Sequence, residues 1–276
     1  MRARIWGCRG SLATPGPSTV RYGGNTSCVE LRPARGGVIV LDGGTGVHPL
    51  GRALAAEGVS HVDFLLTHMH LDHVEGMGFF APFFVEGCTI TIWGPRPTGM
   101  SLRDHIAAYL SPPLFPLPFD QFGSHVEFVE IGDESWELDG VQVRSARVKH
   151  PGNTVGYRLE EDDRVFTFIP DNEPALQRDS GLVLAEGADV LFHDAQFTEE
   201  EYRTRVGWGH SALPDFVAFA QAAAPRRTVM FHHDPDHDDE QLESMLREAY
   251  DLLDTDAVEL GREGLELDLA PHGVPS

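Results

Sequence analysis

Apolar residues recur along this chain mostly in short alternating runs, with helical spacing in only a few places. In the N-terminal third, "ARIW", "SCVEL" and "GVIVLD" read as strands separated by glycine turns. "VHPLGRALAAEG" has helical spacing and is expected to stop at Gly58. "VDFLLT" and "CTITIWG" are the next predicted strands. "MSLRDHIAAYL" predicts a helix, and "SPPLFPLPFDQF" behind it reads as an irregular loop, expected to pack over the sheet, with cover for a cleft as the alternative. Strands resume at "HVEFVEI", "VQVRSARVKH", "TVGYRLE" and "RVFTFIPD", with a hairpin around "EEDD". "DVLFHD" and "RTVMFHHD" flank a helix at "LPDFVAFAQAAA". "DDEQLESMLREAYDLL" predicts a last helix whose acidic first turn suits the macrodipole. The arrangement roughly repeats, and a sheet-on-sheet core with helices outside accommodates it. No linker-like tract interrupts it, so residues 1–276 are expected to form a single domain.

Composition narrows the setting. Hydrophobic residues make up 41% of the 276, which suits a soluble globular protein with a core of ordinary size. No run reaches the roughly 18 apolar residues that a membrane span needs, so no membrane partner is expected. "MRARIWGCRG" begins basic but breaks before an apolar segment forms, which argues against a secretory signal. Cys8, Cys28 and Cys88 are few, odd in number and unpaired in spacing. Neither a disulfide framework nor a zinc ribbon fits them, and the cytoplasm is the expected location. Asp and Glu number 43 against 21 Lys and Arg, a net charge of −22. Such a surface repels a long polyanion and disfavours long nucleic acid as a partner.

"THMHLDHVEG", from Thr67, places His68, His70, Asp72 and His73 directly after an apolar strand. If the strand continued, His68 and His70 would face the same way, while Asp72 and His73 fall where the chain can turn. Imidazole and carboxylate in one loop suit zinc, manganese or iron. One loop rarely completes two metal spheres, so further ligands are expected at strand ends. His150, Asp171 and His232 each stand just past a β-like run. His233 is the rival of its neighbour, whereas His237 reads as a surface or helix-start residue.

HxHxDH followed by a strand-end His, a strand-end Asp and a final His resembles the metallo-β-lactamase superfamily, along Gly10 to about His237. The resemblance implies an α/β fold, a four-layer αββα sandwich with a two-metal site along the sheet edges. It implies one ion on His68, His70 and His150, a second on Asp72, His73 and His232, and Asp171 bridging them. Zinc is the first expectation for the two divalent ions, with manganese and iron as alternatives. "GYRL", "PDNEP" and "HDAQFTEEEYRTRVGWGHSAL" are similar to segments of the phosphodiesterase branch, which includes tRNA 3′-processing endonucleases and cyclic-nucleotide phosphodiesterases. That likeness implies a proton-handling pair at Asp194 and His210, with aspartate where the branch usually has glutamate. The candidate catalytic residues are thus His210, Asp194 and Asp72. "GGNTSC" and "VLDGGTG" complete the resemblance and make Asp42 a candidate for orienting a metal-bound histidine. His193 reads as a packed strand residue.

Two divalent ions that share a water lower its pKa toward ~7, so hydroxide is available at neutral pH. The expected reaction is hydrolysis of a small phosphodiester, such as a cyclic nucleotide, by that metal-bound hydroxide. Leaving-group protonation by His210 and Asp194 favours phosphodiesters, because a ribose alkoxide leaves poorly. The alternatives are a tRNA 3′-end endonuclease, a thioester or lactone hydrolase, and a non-catalytic metal-stabilised nucleotide-binding module. Arg21, Arg144, Arg147 and Arg203 are candidate phosphate contacts. A homodimer is an expectation drawn from the branch alone.

Overall fold

The computed structural model describes residues 1–253 and 257–269. Residues 254–256 and 270–276, which the one-domain expectation includes, lie outside the described residues. The first sheet contains β1 (Arg2–Gly7), β2 (Cys28–Arg32), β3 (Ile39–Leu41), β4 (His61–Leu65), β5 (Thr89–Pro95) and β6 (His125–Ile131). The second contains β7 (Glu134–Leu138), β8 (Val141–Arg147), β9 (Val155–Glu161), β10 (Arg164–Ile169), β11 (Val190–Asp194), β12 (Thr228–Phe231) and β13 (Val258–Leu260). A last strand, β14 (Glu266–Asp268), returns to the first sheet beside β1.

Each sheet runs β14-β1-β2-β3-β4-β5-β6 or β7-β8-β9-β10-β11-β12-β13, antiparallel through its first four strands and parallel through the rest. The rough repeat in the sequence is therefore a real symmetry of strand direction. Parallel neighbours need crossovers. The helices are α1 (Val47–Glu57), α2 (Leu102–Tyr109), α3 (Asp179–Ala185), α4 (Glu199–Tyr202), α5 (Leu213–Ala223) and α6 (Asp239–Leu253). Gly58 ends α1 in the left-handed region, φ 73°, as a C-terminal glycine does.

Period-two alternation explains the layering. Val29 and Leu31, Ile39 and Leu41, Phe166 and Phe168, and Val229 and Phe231 point between the sheets into one core. The intervening Val40, Phe64 and Ile90 face outward and pack against α1 and α2. On the other side Met230 and Leu260 meet α5 and α6, and Ile169 and Leu191 meet α3 and α5. The protein is thus the expected αββα sandwich. Phe192 sits at the middle of the inter-sheet core, its ring 5.0 Å from Phe166 and 5.6 Å from Phe231. Phe192→Ala should cost about 3–5 kcal/mol, read as a lower urea midpoint at unchanged slope. A smaller loss would mean that the core collapses around the gap.

Several expectations change in detail. β4 ends at Leu65, so His68 and His70 do not lie on a continued strand; a single 3₁₀ turn, Leu71–His73, follows them. β7, α3, α4, β13 and β14 are too short or too irregular in pattern to stand out in the sequence. "SPPLFPLPFDQF" packs as expected: Phe119 and Phe122 join the core cluster of Phe83 and Phe80.

Candidate metal centre

The carboxyl ends of parallel strands collect at one edge of the sandwich, where α/β sheets commonly bind ligands. Asp42 leaves β3, the 68–73 loop leaves β4, Asp171 follows β10, Asp194 ends β11 and His232 follows β12. His150 comes from the loop after β8. All are buried except His70 and the partly open His210.

Side-chain donor atoms of His68, His70, His150 and Asp171 lie within 4.8 Å of one another. Those of Asp72, His73 and His232 do likewise. Asp171 reaches toward both groups, with Oδ2 3.7 Å from His68 Nε2 and 3.6 Å from His150 Nε2. Its Oδ1 is 3.1 Å from His73 Nε2 and 3.4 Å from His232 Nε2. The sequence-predicted ligands are therefore brought together as two adjoining clusters.

Cations fit this donor set. His150 Nε2 faces His70 Nδ1 at 3.0 Å, and His73 Nε2 faces His232 Nε2 at 3.3 Å. Neutral lone pairs turned on each other at His150 and His70, or protonated rings at His73 and His232, repel, and a cation in place of the protons removes the conflict. His68 Nε2 is buried with no hydrogen-bond partner. The far nitrogens are already committed. His73 Nδ1–H donates to Asp42 Oδ2 at 2.7 Å, His150 Nδ1–H to the Gly209 carbonyl at 2.9 Å, and His232 Nδ1–H to Gln196 Oε1 at 3.2 Å. Each bond leaves Nε2 free to ligate, the usual outer support of a metal-bound histidine. Asp42 itself is held by Ser27 and Thr67, with its backbone at φ 59°.

Electrostatics divide the donors: against burial, the carboxylates around His73 and His232 raise both rings, which must give up that proton to ligate, whereas the other candidate ligand histidines are lowered. Burial lowers His68 and His70, and it lowers His150 to about 4, so these rings stay neutral as ligands must. Burial also opposes charge on His232, but Asp171 and Asp72 outweigh it and raise the ring to about 9. Asp171 is held well below the usual carboxylate range: burial alone would raise it, and the surrounding His232, His73, His68 and His150 prevail. Asp72 likewise stays ionised, with burial opposed by His73 and His232.

His210 Nδ1–H donates to Asp194 Oδ2 at 2.8 Å, so the shorter aspartate still makes the contact. Asp194 also accepts the backbone N–H groups of Asn172, Gln196 and Ser211. The His210 ring stacks on His232 with centroids 4.9 Å apart, and its Nε2 bonds to none of the described residues.

His232 rather than His233 enters the cluster. It does so at φ 60°, in the left-handed region, where local strain often accompanies a functional site. His233 turns away and donates Nε2–H to the Gly261 carbonyl at 2.8 Å; burial lowers it to about 3. His237 is not a surface residue: it is 4% exposed and bonds Glu201. His193 is a packed strand residue, stacked on Phe219 and bonded to Asn172 and the Asp194 carbonyl. Burial lowers it to about 4. The unfolded chain binds this proton from about pH 6.5 downward while the folded one does not. Stability should therefore fall by up to about 1.4 kcal/mol per pH unit between 6.5 and 4 from this residue. Urea titrations at several pH values should show a shallower acid slope in His193→Leu, and an unchanged slope would refute the assignment.

Three supporting residues were not among the sequence-predicted site residues. Gly10 presses on the site, since a Cβ there would lie 2.2 Å from His232 Nδ1. Ser11 N–H donates to Asp72 Oδ2 at 2.6 Å, and Gln196 holds His232. Among the arginines, Arg21 pairs with Glu243 and Asp239, and Arg203 with Glu199.

The family model for the "Beta-lactamase superfamily domain" matches residues 38–233, which include every candidate ligand. The chain is 27% identical over 241 residues to a ribonuclease Z of Mycobacterium sp. (strain KMS), spanning 80% of this chain and 81% of the relative. The metallo-β-lactamase fold protein YhfI from Bacillus subtilis superposes with TM-score 0.73 at 17% identity, over 96% of this chain and 98% of that one. A diphosphatase of the PhnP family superposes with TM-score 0.70 at 17% identity, over 98% of both chains. Matched over well more than half of its length, the chain belongs to the beta-lactamase superfamily, and it has the metallo-β-lactamase fold.

Proposed function

We propose that this metal-dependent hydrolase cleaves a small phosphodiester such as a cyclic nucleotide. Residues 1–276 act in this reading as one domain, and the chain works as a homodimer in the cytoplasm. Its partner is the small-molecule substrate. One ion is held by His68, His70 and His150, a second by Asp72, His73 and His232, with Asp171 between them. Zinc suits the nitrogen-rich set best, ahead of manganese and iron. When bound, the ions supply Lewis acidity that acidifies water and draws charge from a phosphoryl oxygen.

The chain's own residues do the rest. Asp42 and the Gly209 carbonyl fix the tautomers of His73 and His150. Asp194 accepts the His210 Nδ1–H and so turns Nε2 toward the site, where it delivers a proton to the leaving oxygen. That pair, at 2.8 Å beside the histidine–aspartate clusters, is the observation that carries the phosphodiester reading. The size of the substrate rests on a cavity of about 260 Å³ next to His68 and His70, walled by Met69, Pro95, Pro97 and His105. It lies just below the usual range for drug-sized ligands and suits one compact group. The net charge of −22 also disfavours a polyanion. Among the described residues no helix is long and apolar enough to cross a membrane.

A second reading, cleavage at the 3′ end of an RNA, is favoured by the relatives named ribonuclease Z. Zinc- and manganese-loaded protein should be offered cyclic nucleotides, bis-p-nitrophenyl phosphate, a tRNA precursor and thioesters. Turnover confined to the small phosphodiesters supports the proposal, and preference for the tRNA precursor replaces it. Turnover of thioesters alone, or ligand recovered intact throughout, would sink both readings.

A further inference from the structure

Glu173 is a fully buried acid two residues beyond Asp171, and the steps described above do not use it. Its oxygens accept three hydrogen bonds. Oε1 takes the Tyr202 hydroxyl at 2.7 Å and the Gly207 N–H at 2.7 Å; Oε2 takes the Gly209 N–H at 2.8 Å. All three donors belong to the segment that leads into His210. On its other side, Glu173 N–H donates to the carbonyl of Lys149, the residue before His150, at 2.8 Å. The Asn172 side chain accepts the Lys149 N–H at 3.2 Å.

Gly209 connects these contacts to the site. Its carbonyl accepts His150 Nδ1–H at 2.9 Å, and the same peptide group joins it to His210. The backbone there sits at φ 94°, and a Cβ would lie 2.3 Å from His150 Nδ1. A rotation of this peptide therefore displaces the His150 ring and the His210 side chain together. A carboxylate is the only side chain that offers acceptors on both oxygens and turns no donor toward the three groups it meets.

We propose that Glu173 is a positioning residue: by holding the Gly209 N–H, it fixes the residue whose following peptide aims both His150 and His210. The role rests on reading His150 as a ligand and His210 as the proton donor. It predicts that loss of the carboxylate weakens metal binding and proton delivery at once, although Glu173 touches neither metal nor substrate.

The test compares Glu173→Gln with Tyr202→Phe. Glutamine keeps the shape but turns an NH₂ toward one of the donors. Phenylalanine removes one partner and leaves the Gly209 bond intact. Zinc affinity, by competition with a chromogenic chelator, should fall about 10–100-fold in Glu173→Gln, the range seen for outer supports of metal ligands. In zinc-loaded protein kcat should fall by a similar factor with KM unchanged. In metal-free, ¹⁵N-labelled protein, the His150 Nδ1–H signal should lose its hydrogen-bonded shift. Tyr202→Phe should lower the melting temperature while leaving zinc affinity and the His150 signal near wild type. A folded Glu173→Gln with wild-type zinc affinity and an unmoved His150 signal would reduce Glu173 to a staple of the loop. If that variant does not fold, Glu173→Asp, which keeps the charge but withdraws it from Gly209, is read by the same measurements. Failure of wild-type protein to take up zinc would instead refute the metal reading, and the metal-free His150 signal would still report on the Glu173 contact.

Discussion

Asp171→Ala should lower phosphodiester turnover on the order of a thousandfold and strip the protein of bound metal. Asp171 reaches both clusters, with one oxygen toward His68 and His150 and the other toward His73 and His232. Without it neither donor set keeps its shared carboxylate. A divalent pair supplies several kcal/mol to a phosphoryl transition state, and each 1.36 kcal/mol is tenfold in rate. The metal-free protein should also change, because Asp171 helps to raise His232 to about 9. Removal of that counter-charge should move the His232 titration downward in NMR. Asp171→Asn keeps the volume and should share the loss of metal. Elemental analysis and kcat/KM on a cyclic nucleotide check both variants. A variant with full metal content and undiminished turnover would remove Asp171 from the centre.

His210→Ala should separate substrates by their leaving groups. Its Nδ1–H is tied to Asp194 Oδ2 and its ring stacks on His232, so only Nε2 is available to a substrate. Delivery of a proton by a placed side chain is worth about 10²–10⁴ in rate. That factor should be lost for a cyclic nucleotide, whose leaving group is an alkoxide. It should largely persist for bis-p-nitrophenyl phosphate, whose phenolate leaves without help. Metal content should be unchanged. Asp194→Asn should show the same pattern more weakly, because a neutral amide still orients the ring without stabilising its charge. An equal loss on both substrates would show that His210 acts on the phosphoryl group and not on the leaving oxygen. Unchanged turnover on both would favour a thioester or lactone hydrolase.

The candidate metal centre stood out because its signals are local. His68, His70, Asp72 and His73 share one loop, and His150, Asp171 and His232 each follow a recognisable apolar strand. The same strands revealed the sandwich, since most of them are buried on both faces and stand out in the sequence as short apolar runs. The supports were not legible. Gly10, Ser11, Gln196 and Glu173 act on residues far away in the chain; Gln196 and Glu173 lie in recognisable segments, but nothing local shows which distant groups any of the four holds. His237 shows the same limit. Its acidic surroundings "DPDHDD" read as surface, yet the fold buries it against Glu201.

Local patterning of apolar residues and the spacing of ligand-type side chains were enough to indicate the layers, the strand edges and which residue types meet there. Both depend on periodicity and chain proximity, which are written into consecutive residues. The choice between His232 and His233 was not. It turns on a left-handed backbone at His232, imposed where β12 leaves the sheet, and on a carbonyl at Gly261 that captures the neighbouring ring. The tautomers of the ligands were likewise set by acceptors at Asp42, Gly209 and Gln196. Such contacts arise only when segments distant in the chain are packed side by side, and burial then makes each unmet hydrogen bond costly enough to select one arrangement.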